Sequence, residues 1–249
     1  MQINCDGEHD MKAYYVRFAA LCAVLLLILG CSPADDEMRA GTAEDLVSGL
    51  WAYTGLTTSG GDEMPLTGIF LFHDGVFMQQ SIFDGEPFED QRVMAHTGPY
   101  AANADSVTLF ARQQIFVAPD QDAPLDVSAD HEHQLTISRD GDELTLVFGS
   151  GTVQTFERVG PGLGSVYSIE SGAFALVDDH FILVQGTSEG TVNGYGTYTR
   201  DGNELELQVT RWSEATPDSA TNLRDVTLQA TFDGVSLALE DGREYRVVR

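Results

Sequence analysis

Lysine is nearly missing from this chain, which contains one, Lys12, among 249 residues. The sequence has 39 acidic residues against 13 basic ones, a formal net charge of −26. So acidic a surface repels the phosphates of nucleic acids, and we therefore exclude nucleic acid as a partner. The residues after Lys12 also offer no lysine for Schiff-base chemistry or for use as a general base.

Long apolar runs are scarce too, and the clearest of them is Phe18–Leu29, preceded by the basic residues Lys12 and Arg17. Its twelve residues fall short of the ~20 that cross a bilayer, and they match the apolar part of a signal peptide. Gly30 and Cys31 follow directly. Basic residues, an apolar run and a small residue before cysteine, in that order, resemble the lipobox of bacterial lipoproteins.

This resemblance implies that residues 1–30 are a cleaved signal peptide and that Cys31 carries the lipid. Residues 1–10 are acidic, unlike the basic start of a signal peptide, so we expect translation to start at Met11. Residues 31–43 are then a lipidated polar tether. Ser32, rather than aspartate, follows the cysteine, which by the rule for such proteins favours the outer membrane, facing the periplasm. The alternative is a stop-transfer anchor with an incidental cysteine.

Cysteine is equally scarce, since only Cys5, Cys22 and Cys31 occur. A body that begins at a lipidated Cys31 has no free thiol for a disulfide, a nucleophile or a metal. Its fold must be held by an apolar core.

After residue 50 the pattern predicts an all-β fold, an antiparallel up-and-down meander of short strands. Asp-Gly turns predict hairpins at Asp74-Gly75 and Asp140-Gly141. Before the meander, Thr42 and Asp45 predict the start of a short capped helix. Further Asp-Gly turns are expected at Asp84, Asp201, Asp233 and Asp241.

The meander is repeated along the chain. Gly68–Phe77 aligns with Gly172–Phe181, and Gly98–Leu109 aligns with Gly196–Leu207. We therefore expect a first β domain at 44–159 and a second repeat or barrel at 165–249, joined by a Gly-Pro-Gly linker. The alternative is that any β meander shows such spacing.

Gly49-x-Trp51 opens the first repeat and Arg158 closes it. Gly-x-Trp on a first strand, with an arginine on the last strand, resembles the signature of lipocalins and lipocalin-like domains. The resemblance implies a β-barrel whose floor is closed by Trp51 beneath Arg158. The second repeat departs from it, because Tyr167 comes one position late after Gly164.

A lipocalin-like barrel implies a small apolar ligand, for which Phe70, Phe72 and Tyr100 are our candidates, as aromatic residues on strands flanking the expected mouth. We predict a lipid-anchored, periplasm-facing binding protein, without enzymatic activity or a cofactor. Its membrane contact is the lipid, and no protein partner can be named. The alternative is a non-enzymatic envelope interaction or structural lipoprotein with solid barrels.

Chemistry-bearing residues are densest at Asp130–His133. On a strand, His131 and His133 point to the same face and could share a metal ion, with a third ligand from His96, His180 or a carboxylate. A metal-assisted enzyme is the corresponding alternative function. The competing interpretation is a solvated loop, which is also our interpretation of the acidic segment 120–130, since it lacks the ligand spacing of a calcium loop.

Overall fold

The computed structural model describes residues 42–248. The predicted signal peptide, Cys31 and nearly all of the predicted tether lie outside these residues. The described part begins with helix α1 (Ala43–Val47). Thr42 and Asp45 form a reciprocal capping box at its start, as predicted, so the helix takes up the last residue assigned to the tether.

Strands dominate the rest of residues 42–248, and only one 3₁₀ turn, Phe88–Asp90, interrupts them. The strands are β1 (Gly49–Thr57), β2 (Glu63–Met64), β3 (Leu66–His73), β4 (Val76–Phe83), β5 (Arg92–Asn103), β6 (Ser106–Ala111), β7 (Gln113–Val117), β8 (Leu125–Ser128), β9 (His131–Asp140), β10 (Glu143–Phe148), β11 (Val153–Gly160), β12 (Gly164–Ile169), β13 (Gly172–Val177), β14 (His180–Thr187), β15 (Gly190–Asp201), β16 (Glu204–Thr216), β17 (Ser219–Leu223), β18 (Val226–Phe232), β19 (Ser236–Leu239) and β20 (Glu244–Arg246).

The first sheet closes into an antiparallel barrel, with neighbours in the order β1, β3, β4, β5, β6, β9, β10, β11 and back to β1. Strand β7 continues β6 beyond a break at Arg112, and it pairs with β8, which precedes β9 across a break at residues 129–130. The second sheet repeats this order as β12, β13, β14, β15, β16, β18, β19, β20, and a bridge between Ile169 and Val247 joins its ends. The predicted all-β meander of two barrel-like repeats is confirmed.

Matching backbone details support the internal repeat. Asp74 and Asp178 both have left-handed backbones, with φ of 47° and 50°, at the turn between β3 and β4 and at the corresponding turn between β13 and β14. Asp130 and Asp225 do the same before β9 and β18, with φ of 58° and 54°. Non-glycine residues seldom adopt this conformation, so its recurrence at corresponding points indicates the same architecture twice.

The hairpins predicted at Asp74-Gly75 and Asp140-Gly141 are confirmed by the pairing of β3 with β4 and of β9 with β10. The turn expected at Asp84-Gly85 is wrong. Eight residues, 84–91, separate β4 from β5 there and include the 3₁₀ turn. This segment is called the pocket loop below. It departs from the wall of the first barrel because its residues make contacts outside that barrel.

The two barrels pack against each other through their outer faces. Leu71, Met78 and Ile115 of the first barrel share one buried cluster with Ala175 and Ile182 of the second. Strands β3, β4, β13 and β14 are therefore buried on both faces, towards their own barrel interior and towards the other barrel. This explains why β3, β13 and β14 contain continuous apolar runs rather than alternating ones.

Candidate functional site

One end of the first barrel is closed by Trp51. Its ring is fully buried, and its indole Nε1 donates a hydrogen bond of 2.7 Å to the carbonyl of Val47 in α1. The guanidinium carbons of Arg139 and Arg158 lie 5.1 and 5.7 Å from the ring centroid. The arginine on the last strand thus lies over the tryptophan, and a second arginine, which the sequence did not suggest, joins it.

Gly49 lies at the same end of the barrel. The position favours glycine because the backbone there leaves no room for a side chain. Its φ is +135°, and a Cβ atom would come within 3.0 Å of the Gly160 carbonyl oxygen. Helix α1 covers this end and anchors to the barrel wall, since the Tyr100 hydroxyl donates to the Glu44 carboxylate at 2.5 Å. Burial, followed by this carboxylate, raises the pKa of Tyr100.

The candidate ligand residues Phe70, Phe72 and Tyr100 lie in this packed end. The rings of Phe70 and Phe72 stack at 4.4 Å, and Tyr100 meets Phe72 edge-on at 5.1 Å. All three are buried, within a cluster that also contains Trp51 and Phe156. The structure therefore places them at the closed floor and not at the mouth, because the short helix seals their end of the barrel.

A buried polar layer crosses the barrel above the aromatic core. Gln79 donates to the Ser81 hydroxyl at 2.7 Å, Ser81 donates to the Tyr53 hydroxyl at 3.0 Å, and Tyr53 reaches Gln154 at 3.4 Å. Burial raises the pKa of Tyr53 well above its usual value. His96, on the neighbouring strand, is directly opposite Gln79.

His96 stacks on His133 in this layer, with ring centroids 5.9 Å apart and planes nearly parallel at 1°. Burial, followed by the nearby His133 and His131, lowers the pKa of His96 to about 3. Burial and His131 likewise lower the pKa of His133. Both imidazoles are therefore neutral near pH 7.

His131 and His133 lie opposite Ala111 and Leu109, two residues of the barrel core, which places them on the same strand face as expected. His131 is exposed at the rim. Within residues 42–248, however, no three histidine, cysteine or carboxylate side chains come together as metal ligands would. His180 belongs to β14 of the second barrel. The geometry offers no support for the metal hypothesis.

The opposite end of the first barrel holds a pocket of about 570 Å³, called the mouth pocket below. Its apolar surface comes from Phe83, the last residue of β4, from Phe116 in β7, and from the partly exposed Met64. Arg92 and Asp120 meet at its edge in a two-pronged ion pair, with N–O distances of 2.5 and 3.0 Å. The remaining wall is made by residues of the pocket loop, Gly85, Glu86, Pro87, Asp90 and Gln91.

The sequence analysis did not predict this pocket, although the positions of its two phenylalanines along the chain offered an indication. Phe83 and Phe116 each stand just before an irregular segment rather than inside a hairpin. The loop after Phe116 contains Asp120, whose carboxylate is bound by Arg92 from across the mouth. This pairing lowers the pKa of Asp120 and raises that of Arg92. The sequence interpretation of Asp120 as part of a solvated acidic loop did not foresee this partner.

A second cavity of about 580 Å³ lies between the barrels. It is bordered by Arg112 and Gln113 on one side and by Ser171 and Gly186 on the other. The Gln113 amide donates to the Gly186 carbonyl across this boundary. Its lining mixes aliphatic residues such as Val76 and Val127 with small polar ones and contains no aromatic side chain, in contrast to the mouth pocket.

Comparisons of the chain with protein-family models, with curated proteins and with solved structures found no significant match. The lipoprotein and lipocalin resemblances therefore stay predictions. In residues 42–248, no helix combines the length and the apolar character needed to cross a bilayer.

Proposed function

We propose that this protein binds a small apolar ligand in the mouth pocket of its first barrel and does not act as an enzyme. The observation that carries the proposal is the pocket itself, where Phe83 and Phe116 face a cavity of about 570 Å³. Ligand pockets of proteins commonly have about 300–1,000 Å³ and are lined mainly by apolar and aromatic groups. Phe70, Phe72 and Tyr100 do not line this pocket and instead fill the closed end of the barrel.

The charges at the mouth favour an uncharged ligand. Arg92, the basic residue in the pocket lining, is already paired with Asp120. The whole chain carries a formal charge of −26, and this field opposes the approach of an anion. An uncharged apolar molecule is therefore a better match for the pocket than a fatty-acid carboxylate.

Titration with the neutral fluorescent probe N-phenyl-1-naphthylamine tests this function on residues 32–249. We expect saturable binding that Phe83→Ala and Phe116→Ala each weaken by about tenfold, since each removes a large apolar contact. Tyr167→Ala, which alters a half-buried aromatic residue of the second barrel, serves as the control and should leave the affinity unchanged. Non-saturable binding by the unaltered protein would count against the site.

We also propose that Cys31 anchors the protein by a lipid to the outer membrane, on its periplasmic side. The ten residues from 32 to 41 can span at most about 35 Å, so the ligand would be met close to the membrane surface. Expression of the full chain in a Gram-negative host with labelled palmitate tests this proposal. Cys31→Ser should abolish the label and Cys22→Ser should keep it, whereas a labelled Cys31→Ser protein would refute the anchor.

A structural or protein-binding role is the second candidate, and the filled barrel interiors favour it. In the second barrel Phe174, Phe181 and Phe232 are fully buried in one cluster with Trp212. A barrel packed in this way presents only its outer surface to a partner. Crosslinking in cells that recovers one envelope protein, together with no saturable probe binding, would favour this function.

A further inference from the structure

The pocket loop, residues 84–91, is held in place by the second barrel. Asn222, in β17, points its amide at three backbone carbonyls of the loop. Its Nδ2 lies 2.8 Å from the oxygen of Gln91, 3.2 Å from that of Glu89 and 3.5 Å from that of Phe88. The carbonyls of the 3₁₀ turn and of the residue after it thus share one donor from the other barrel.

Phe88 provides a second contact between the loop and the second barrel. Its ring lies beneath two guanidinium groups, with the carbon of Arg224 at 4.2 Å and that of Arg211 at 5.2 Å from the ring centroid. A guanidinium over an aromatic face within ~6 Å is attracted by the ring quadrupole. Arg224 follows β17 and Arg211 belongs to β16, so both cations come from the second barrel.

The same loop forms a wall of the mouth pocket on its other side. Glu86, Pro87 and Gln91 line the cavity, while Phe88, between them in sequence, is turned towards the second barrel. Gln91 closes the base of the loop through hydrogen bonds to Asp84 at 2.8 Å and to the Gly85 carbonyl at 2.9 Å. One short segment therefore meets the pocket with some residues and the second barrel with others.

We propose that Asn222, Arg211 and Arg224 are positioning residues for ligand binding by the first barrel. They hold the pocket loop in the conformation that completes the mouth pocket, so the second barrel controls the affinity of a site in its neighbour. This inference rests on the proposed function of the mouth pocket. Because coupling between two sites is reciprocal, an occupied pocket should in turn stabilise the contact between loop and second barrel.

Asn222→Asp is the sharpest test because it keeps the shape of the side chain. The carboxylate has no N–H to donate and would face three carbonyl oxygens. We expect hydrogen exchange of the loop amides to accelerate and the dissociation constant of N-phenyl-1-naphthylamine to rise, each by about tenfold. Arg224→Ala should act in the same direction. Arg224→Lys keeps the charge and should therefore be less impaired in loop exchange and in affinity than Arg224→Ala.

Two control variants accompany these measurements. Asn203→Ala changes an exposed asparagine at the other end of β16, and Arg246→Ala removes an arginine whose partner is Glu244. Neither touches the loop, so exchange and affinity should match the unaltered protein. Circular dichroism and thermal unfolding establish that all variants are folded.

Each outcome bears on one of the two proposals. Unchanged loop exchange in Asn222→Asp would overturn the positioning role, and so would faster exchange with an unchanged dissociation constant. If the unaltered protein binds no probe in a saturable manner, the proposed function fails, and the control of affinity fails with it. Loop exchange then still decides whether Asn222 holds the loop.

Discussion

Trp51 and Tyr167 occupy equivalent positions in the two barrels, each directly opposite a buried phenylalanine on the next strand. Trp51 pairs with Phe70 in the first barrel, and Tyr167 pairs with Phe174 in the second. The tyrosine that comes late in the sequence therefore fills the place of the tryptophan. Only Trp51 is sealed by a helix, however, since its indole donates to Val47 and Tyr167 is half-buried.

This difference predicts unequal contributions to stability. Trp51→Ala should lower the free energy of unfolding by about 3–5 kcal/mol, because a fully buried ring is lost from a packed core. Tyr167→Ala should have the smaller effect, since part of that ring is already exposed. Urea denaturation measures both, and an equal loss in the two variants would contradict the assigned closure by Trp51.

The hydrogen bonds of Gln80 across the boundary of the two barrels should contribute to the stability of the protein. It is buried in their boundary, where its Nε2 donates to the carbonyls of Leu183 at 2.8 Å and Gly194 at 2.9 Å. Gln80→Leu keeps the volume but removes both hydrogen bonds, and should lower the free energy of unfolding by about 1–3 kcal/mol. Gln134→Leu, on the exposed face of β9, should change it by less than about 0.5 kcal/mol.

His96 predicts a loss of stability in acid. Its pKa is about 3 in the folded protein, below the ordinary value of 6.5. Between these values the unfolded chain binds the proton and the folded protein does not, so stability falls as the pH drops from about 6.5 towards 3. His96 alone contributes a slope of about 1.4 kcal/mol for each pH unit in this window.

The variant His96→Gln should flatten this part of the stability profile, measured by urea denaturation between pH 6.5 and 4. His133 faces the same layer and contributes in the same direction. The control variant Gln134→Leu, on the exposed face of β9, changes no titratable group and should keep the slope. A slope that does not change in His96→Gln would show that this imidazole is not buried in neutral form.

The ion pair at the mouth predicts ligand selectivity. Asp120→Asn removes the negative charge that neutralises Arg92, and leaves a cation beside Phe116 and Phe83. Binding of the anionic probe 8-anilinonaphthalene-1-sulfonate should then improve by about three- to tenfold relative to the neutral probe. Asp126→Asn alters an exposed carboxylate of the same region by the same charge and should leave the ratio unchanged.

Local pattern was enough to predict the meander, since alternation and Asp-Gly turns depend on neighbours in the sequence. The capping box of Thr42 and Asp45 was predicted for the same reason. The site was not predictable in this way. Arg92 and Asp120 are 28 residues apart, and Asn222 lies more than 130 residues from the loop carbonyls that it binds. Nothing in the sequence pattern indicates such pairs.

The sequence by itself determined an acidic chain with one candidate lipidation site, Cys31, and a β meander that occurs twice. Only the tertiary structure decided which end of the first barrel is open and how the two barrels meet. The physical reason is that the apolar pattern of a strand indicates that a face is buried but does not indicate which surface covers that face. The runs in β3 and β13 look alike in sequence whether their outer faces meet lipid, solvent-excluding loops or, as here, the other barrel.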